Sequence, residues 1–383
     1  MTEKKSLSRR SFLATTASAS ALAIGAPQKV LGANDEVVLG IIGTGGRGQS
    51  LLKRITNIPN IRIAAICDKR EERRTQAEQI CEDYKPAPKL YSDFEKLLDK
   101  EKLDGCIVAT EVGNHAKCVI PVLESGIHCF SEKPMDCTVD KVDAIVKAAR
   151  KAKGFYQVGF QRRYAPAFLS GVGKIHEGAI GDITFMQGCW HWSWSVGGWV
   201  ANVEMSGGEI VEQACHHMDV MNWVMRGQRP MKCVAMGHMA GPRGEYFRHN
   251  TEDQSAVTFY YPTGAIFSYT HLFYLAEHFQ EERLLVHGKT GGVDLRTGML
   301  YPRPGLGEAQ QIAEKVPDWD YGTSEELEAF ADQIRNNKKP LSNQETGRVS
   351  TLMSLMAREA MYKTRTHEFE PSVVNWEDLG TSS

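Results

Sequence analysis

A chain of 383 residues with a net charge of −2 is too long for one small domain and carries no excess of basic residues. The length suggests two domains, each large enough to bury its own core. With a near-neutral pI and no basic stripe, nucleic acid is not expected as a partner.

The chain opens on a segment unlike the rest. Lys4, Lys5, Arg9 and Arg10 precede a weakly apolar run over 12–26 rich in Ala, Ser and Thr, and no acid falls between Glu3 and Asp35. A membrane span would need about 20 strongly apolar residues, so this reads as a signal peptide over 1–33, and no span is expected in the mature chain. Its Ser8-Arg9-Arg10-Ser11-Phe12-Leu13 resembles the twin-arginine (Tat) export signal. That implies the Tat machinery as a partner, cleavage after Ala33 and a periplasmic or extracytoplasmic location. Export after folding would let a nucleotide be loaded in the cytoplasm and carried out tightly bound. All nine cysteines lie beyond this segment, without CxxC or regular spacing. They read as buried small hydrophobes rather than a disulfide framework or zinc site.

The apolar run 37–42 reads as a strand that enters Gly43-Thr44-Gly45-Gly46-Arg47-Gly48. That is the order a dinucleotide site requires. Gly43 permits the tight turn, Gly45 lets the backbone approach a pyrophosphate, and Gly48 lets the next helix pack on the sheet. The helix N-terminus then offers free N–H groups to the phosphates. After helical residues 51–55, a second strand over 61–67 ends at Asp68, twenty residues past Gly48. A carboxylate there would accept hydrogen bonds from an adenosine ribose. Helical spacing over 69–83 and 94–98 leads to a third strand over 105–110. A helix over 116–125 and a fourth strand over 128–131 then end in Glu132-Lys133-Pro134. A long helix over 139–153 and a strand over 155–160 complete an α/β Rossmann domain, 34–160, with a parallel sheet and ligands at the carboxyl ends of its strands.

From residue 161 the pattern changes. A helix near 168–177 precedes strand-like segments at 183–195, 232–238, 254–261, 265–273 and 283–287, and Tyr261-Pro262-Thr263-Gly264 marks an antiparallel turn. A helix opening on a Thr323-x-x-Glu326 capping box and another over 344–363 close the chain. The prediction for 161–383 is an α+β domain with a large mixed, mostly antiparallel open sheet and one helix-covered face.

Three motifs, GTGGRG over 43–48, SEKPMDC over 131–137 and GGEIVEQACHHMD over 207–219, resemble the Gfo/Idh/MocA oxidoreductases, and the resemblance runs from about residue 37 to 364. It implies an NAD- or NADP-dependent enzyme acting on sugars or cyclitols, and a homodimer or homotetramer. Lys133 matches the family's lysine, His216 its histidine and Glu212 its acid, all beside the nicotinamide. Many members carry Asp where this chain has Glu212, a carboxylate one methylene longer. Thr110, Asn114, His115, Glu132, Lys133 and Gln161 join the glycine loop and Asp68 as expected cofactor contacts. Asp68 favours NAD because a carboxylate would repel a 2′-phosphate, while Lys69 and Arg70 keep NADP open.

The chemistry also follows from the residues themselves. Removing hydride from a carbinol requires the hydroxyl proton to leave, and a base within hydrogen-bond reach lowers that barrier. His216, with an unperturbed pKa of about 6.5, suits the role. Lys133 can stabilise charge developing on the oxygen. Glu212, Asp219 or both could orient His216, since positions three and four apart on a helix share a face. A His216–His217 metal pair is not expected, because helix neighbours point apart and no third ligand is evident. Candidate substrate contacts are Arg163, Trp199, His217 and Asp219, each with a structural role as its alternative. Trp190, Trp192 and Trp194 alternate onto one strand face and read as core.

Two other functions compete with the dehydrogenase. One is an NAD-dependent glycoside hydrolase or lyase similar to glycoside hydrolase family 109, which oxidises a ring hydroxyl transiently, eliminates the aglycone and returns the hydride. The other is a catalytically silent nucleotide- or sugar-binding protein.

Overall fold

The computed structural model describes residues 36–193, 197–240, 250–315, 321–363, 368–369 and 371–380. The export signal, its cleavage point and Trp194 lie outside them.

The first half alternates as its hydrophobic runs require. The strands are β1 (Val37–Ile42), β2 (Ile61–Cys67), β3 (Lys89–Tyr91), β4 (Gly105–Val108), β5 (His128–Ser131) and β6 (Tyr156–Val158). They form one parallel sheet in the order β3-β2-β1-β4-β5-β6. The crossovers are α1 (Gly46–Ile55), α2 (Glu71–Ile80), α3 (Phe94–Lys100), α4 (His115–Glu124) and α5 (Val139–Lys151). β1 (VVLGII) has no polar residue, as a strand covered on both faces must. The strand order reverses between β1 and β4, which opens a crevice at their carboxyl ends.

The second half holds α6 (Pro166–His176), β7 (Ile183–His191), α7 (Val203–Ser206), α8 (Glu209–Glu212) and α9 (Cys215–Val224). The strands β8 (Lys232–His238), β9 (Gln254–Tyr260), β10 (Ile266–Leu272), β11 (Glu281–Gly288), β12 (Gly291–Asp294), β13 (Met299–Pro302) and β14 (Gln310–Gln311) follow. The chain closes with α10 (Thr323–Asn336), α11 (Gln344–Met361), the short pair β15 (Tyr362–Lys363) and β16 (Glu368–Phe369), and β17 (Ser372–Asn375). Nine strands make one sheet, β14-β13-β12-β11-β7-β10-β9-β8-β17. Its pairs are antiparallel except β7 with β10, which run parallel. Phe259, Phe267 and Tyr269 alternate onto the inner face and are fully buried, and α11 packs there against β8 and α9. Among the described residues no helix is long and apolar enough to cross a membrane.

Two expectations change. Thr323 does not cap α10: Gly322, at φ +92°, holds the N-cap position without a side-chain bond. The capping box belongs to α11 instead, where Asn343 and Thr346 bond each other's backbone. The late helices also do not stay with the second half. Phe330 of α10 packs edge-on to Phe130 and Phe155, each at 5.7 Å, so α10 covers the Rossmann sheet.

Candidate active site

β1 delivers Gly43 to the carboxyl edge of the sheet, where the backbone leaves no room for side chains. Gly43 has φ +91°, and a Cβ on Gly48 would lie 2.1 Å from the Gly43 carbonyl oxygen. Only glycine permits both the turn and the approach of α1. α1 has Gly45 as its N-cap, with no side-chain cap and no acid in its first turn, so its leading N–H groups remain for an anion. Asp68 Oδ2 accepts from the Thr44 N–H at 2.8 Å, and Oδ1 accepts from the Arg70 N–H at 2.9 Å. Oδ2 also accepts from the Thr44 hydroxyl at 3.3 Å, whereas Oδ1 retains a further lone pair for a ribose hydroxyl. A cavity of about 400 Å³ opens before these groups, walled by the glycine loop, Asp68, Arg70, Thr110 and Asn114, and by Trp199 and Met205 from the second half. Uncapped amides beside a carboxylate at a sheet's switch point fit a nicotinamide dinucleotide.

Not every expected cofactor contact reaches that cavity. His115 is buried with both ring nitrogens engaged, Nδ1 2.8 Å from the Pro134 carbonyl oxygen and Nε2 3.1 Å from that of Thr110. It braces the EKP turn against the end of β4. Asp136, which the sequence reading passed over, does similar work by accepting the Ala116 N–H at 3.0 Å. Gln161 is buried, and its Oε1 has no hydrogen-bond partner. Glu132 accepts the Arg47 Nε–H at 2.5 Å. Arg47 therefore links the cavity wall to the turn that carries Lys133.

The Lys133 ammonium donates to Glu212 twice, to Oε1 and to the backbone carbonyl, both at 2.7 Å. Burial, the largest single influence, opposes its charge, but Glu212, Cys215 and Glu132 together outweigh it and the Lys133 pKa is raised. His216 opens α9, with Phe160 and Trp190 edge-on to its ring at 6.4 and 6.0 Å. Burial, then the charges of Arg162 and Lys133, push its pKa well below the usual 6.5. The ring is thus neutral at neutral pH, a weaker base than its free side chain. Arg47 reaches Glu132 and Lys133 reaches Glu212, so hydrogen bonds link the glycine loop, the EKP turn and the segment that leads into α9.

Neither expected orienting acid serves His216. Glu212 is committed to Lys133. Asp219 binds Arg163 through both oxygens, at 2.8 and 2.9 Å, and accepts from Ser350 at 2.8 Å. Arg163 and Asp219 therefore form a buried pair in the packed interior rather than a substrate wall, and His216 is fixed by aromatic faces. His217 is fully buried, with Nδ1 3.2 Å from the Tyr269 hydroxyl and Nε2 3.2 Å from Glu282 Oε1. Burial lowers its pKa to about 4 despite Glu282. Trp199 stands in the wall of the nucleotide cavity.

Sequence reasoning missed the polar groups beneath this centre. Glu282 accepts from Arg162 at 2.7 Å and Tyr321 at 2.8 Å, while the Arg162 guanidinium lies over Trp190 and Tyr321. Burial would raise the Glu282 pKa, but Arg162, His217 and Arg296 outweigh it and hold the carboxyl far below its usual range. Glu209, one turn before Glu212, is buried with both oxygens unpartnered. Burial, then Glu212 and Glu252, raise its pKa well above the usual value. Helical spacing to Glu212 was its only signal.

The fold and these linked elements define a dinucleotide-dependent oxidoreductase. The NAD-binding Rossmann model of the Gfo/Idh/MocA oxidoreductase family matches residues 37–160, and that family's C-terminal domain model matches 173–294. The chain belongs to this family. It is 26% identical over 313 residues to an inositol 2-dehydrogenase/D-chiro-inositol 3-dehydrogenase of Lacticaseibacillus casei, covering 80% of this chain and 86% of that protein. It is 29% identical over 163 residues to a glycosyl hydrolase family 109 protein of Saccharopolyspora erythraea, covering 41% of this chain and 36% of that protein. A levoglucosan dehydrogenase in complex with NADH and levoglucosan shares the fold, with a TM-score of 0.75 at 18% identity over 89% of this chain and 99% of that one.

Proposed function

We propose that the protein is an exported, NAD-dependent dehydrogenase of a sugar, glycoside or cyclitol hydroxyl. The observation that carries this reading is the bond of a charged Lys133, on the turn that Arg47 of the dinucleotide glycine loop reaches through Glu132, to Glu212, four residues before a buried, neutral His216. That loop, the α1 N-terminus and Asp68 would hold the dinucleotide by its pyrophosphate and adenosine ribose, and its nicotinamide would supply the hydride acceptor. Lys133 donates a hydrogen bond to the substrate oxygen and stabilises its negative charge. His216 accepts the hydroxyl proton. Glu212 keeps Lys133 protonated and aimed.

Finer features rest on single observations. Asp68 supports NAD over NADP, since its carboxylate would repel a 2′-phosphate. The Ser8-to-Leu13 motif supports Tat export. Met236 and Val373, 57% and 62% exposed on the outer face of the second sheet, support a homodimer or homotetramer. The test is to offer NAD and NADP with a panel of sugars, glycosides and cyclitols. A reduced-nicotinamide absorbance, bound or free, is expected with NAD, and its absence across the panel would overturn the proposal.

The family 109 likeness favours a second reading, redox-neutral glycoside cleavage. An exported enzyme whose hydride returns to its substrate needs no supply of free NAD. Aglycone release with solvent deuterium in the product and no net NADH would select it. Net NADH from an intact glycoside would exclude it.

A further inference from the structure

The face of the nine-stranded sheet turned away from the helices carries a cluster that the dehydrogenase reading leaves unused. Cys189 and His191 stand two residues apart on β7 and project to the same side, opposite Trp190. β11 runs antiparallel beside them, with Glu281 paired to His191 and Arg283 paired to Cys189. The Cys189 sulfur, an imidazole nitrogen of His191 and a carboxylate oxygen of Glu281 all lie within 4.8 Å of one another. Cys189 is 8% exposed, His191 half-buried and Glu281 exposed. The cluster is closed at the sulfur and open at the carboxylate.

We propose that Cys189, His191 and Glu281 form a binding site for one divalent cation of the zinc class, three-coordinate from the protein with a fourth position open to water. Thiolate, imidazole and carboxylate are the donors zinc takes, at about 2.3, 2.0 and 2.0–2.2 Å. Tetrahedral ligands at those lengths stand about 3.5 Å apart, so closure needs side-chain movements on the order of 1 Å. The frame for that closure exists already, because the three donors sit on two hydrogen-bonded strands inside the sheet.

The surroundings of His191 match a ligand's. Its Nε2 lies 2.8 Å from Thr270 Oγ1 on β10; with Nε2–H donating there, the bond is of the outer-shell kind that orients a ligating imidazole and Nδ1 is the nitrogen that would take the cation. Burial lowers the His191 pKa, which keeps the ring neutral, as a ligand must be.

Two competing interactions must give way. Glu281 pairs with Arg283, but the Arg283 side chain is 46% exposed, and surface ion pairs of this kind contribute little. Burial, then the Glu281 charge, push the Cys189 thiol up to about 12. Binding therefore releases one proton from Cys189 to solvent as the sulfur–metal bond forms, the normal course for a coordinating thiol. The cation would tie β7 to β11 on the reverse of the strand whose Trp190 faces His216, without touching the dinucleotide.

The full-length protein, stripped of metal by chelator under reducing conditions, would be titrated with cobalt(II) alone. One equivalent should bind with a thiolate-to-cobalt charge-transfer band, zinc(II) should displace it, and either ion should raise the thermal unfolding midpoint. Cys189→Ser should abolish the band, and Glu281→Gln, at an exposed position, should weaken cobalt affinity at least tenfold, with dinucleotide affinity unchanged in both. Failure of the native protein to take up one equivalent would overturn the proposal. So would a band that survives Cys189→Ser, or cobalt affinity indifferent to Glu281→Gln.

Discussion

His216 is held neutral by its position, and with His216 as the proposed base this sets the pH behaviour of the chemistry. A base whose pKa is depressed stays deprotonated as pH falls through 6.5 and is lost only well below it. The kcat/KM for substrate oxidation should therefore show no inflection near pH 6.5, and a profile across the acid range checks this. At the alkaline end the sign reverses, because Glu212 raises Lys133. Glu212→Gln should move the alkaline fall in kcat/KM to lower pH, provided Lys133 acts as its charged form. His216→Ala should reduce kcat/KM by about 10²- to 10⁴-fold while dinucleotide affinity is kept. Motif and chemistry singled out Lys133 and His216 in the sequence as the proposed acid–base pair. Their partners were not legible there: spacing on one helix pointed to Glu212 and Asp219 as supports for His216, and only packing shows Glu212 on Lys133 and Asp219 on Arg163.

Among the elements, the glycine loop and α1 were readable because their constraints are local. Gly48→Val would force a branched side chain into the backbone of Gly43, at a cost of about 1–3 kcal/mol and with loss of dinucleotide binding, measurable by thermal denaturation and titration calorimetry. The Tyr261-to-Gly264 turn was readable for the same reason, and it joins the antiparallel pair β9 and β10. Short strands such as β3 and β14, three and two residues long, carry too little alternation to register. The parallel pairing of β7 with β10 depends on partners some 80 residues apart and leaves no trace in either strand. Helix caps are a finer case. Thr323-x-x-Glu326 had the right letters but sits inside α10, whereas Asn343 holds the start of α11 through the N–H groups of Glu345 and Thr346. Asn343→Ala should lower stability by about 1 kcal/mol, read from denaturant unfolding.

On the scale of the whole molecule the two halves are less separable than the change of pattern at residue 161 suggests. α10 returns to cover the first sheet, and Trp199 and Met205 of the second half complete the nucleotide cavity. A Cβ on Gly113 would lie 3.1 Å from the Glu204 carbonyl oxygen, so α7 is laid closely against the turn after β4. Trp199→Ala should speed dinucleotide release by about tenfold, on the order of 1.4 kcal/mol, followed by displacement with excess free nucleotide. A wall built from both halves of the chain has a kinetic corollary. A dinucleotide that cannot readily leave becomes a resident group, reoxidised in place by a second small molecule entering after the first product departs. Double-reciprocal plots at several concentrations of that second molecule would then be parallel lines, the signature of a shuttle between two stable forms of one enzyme.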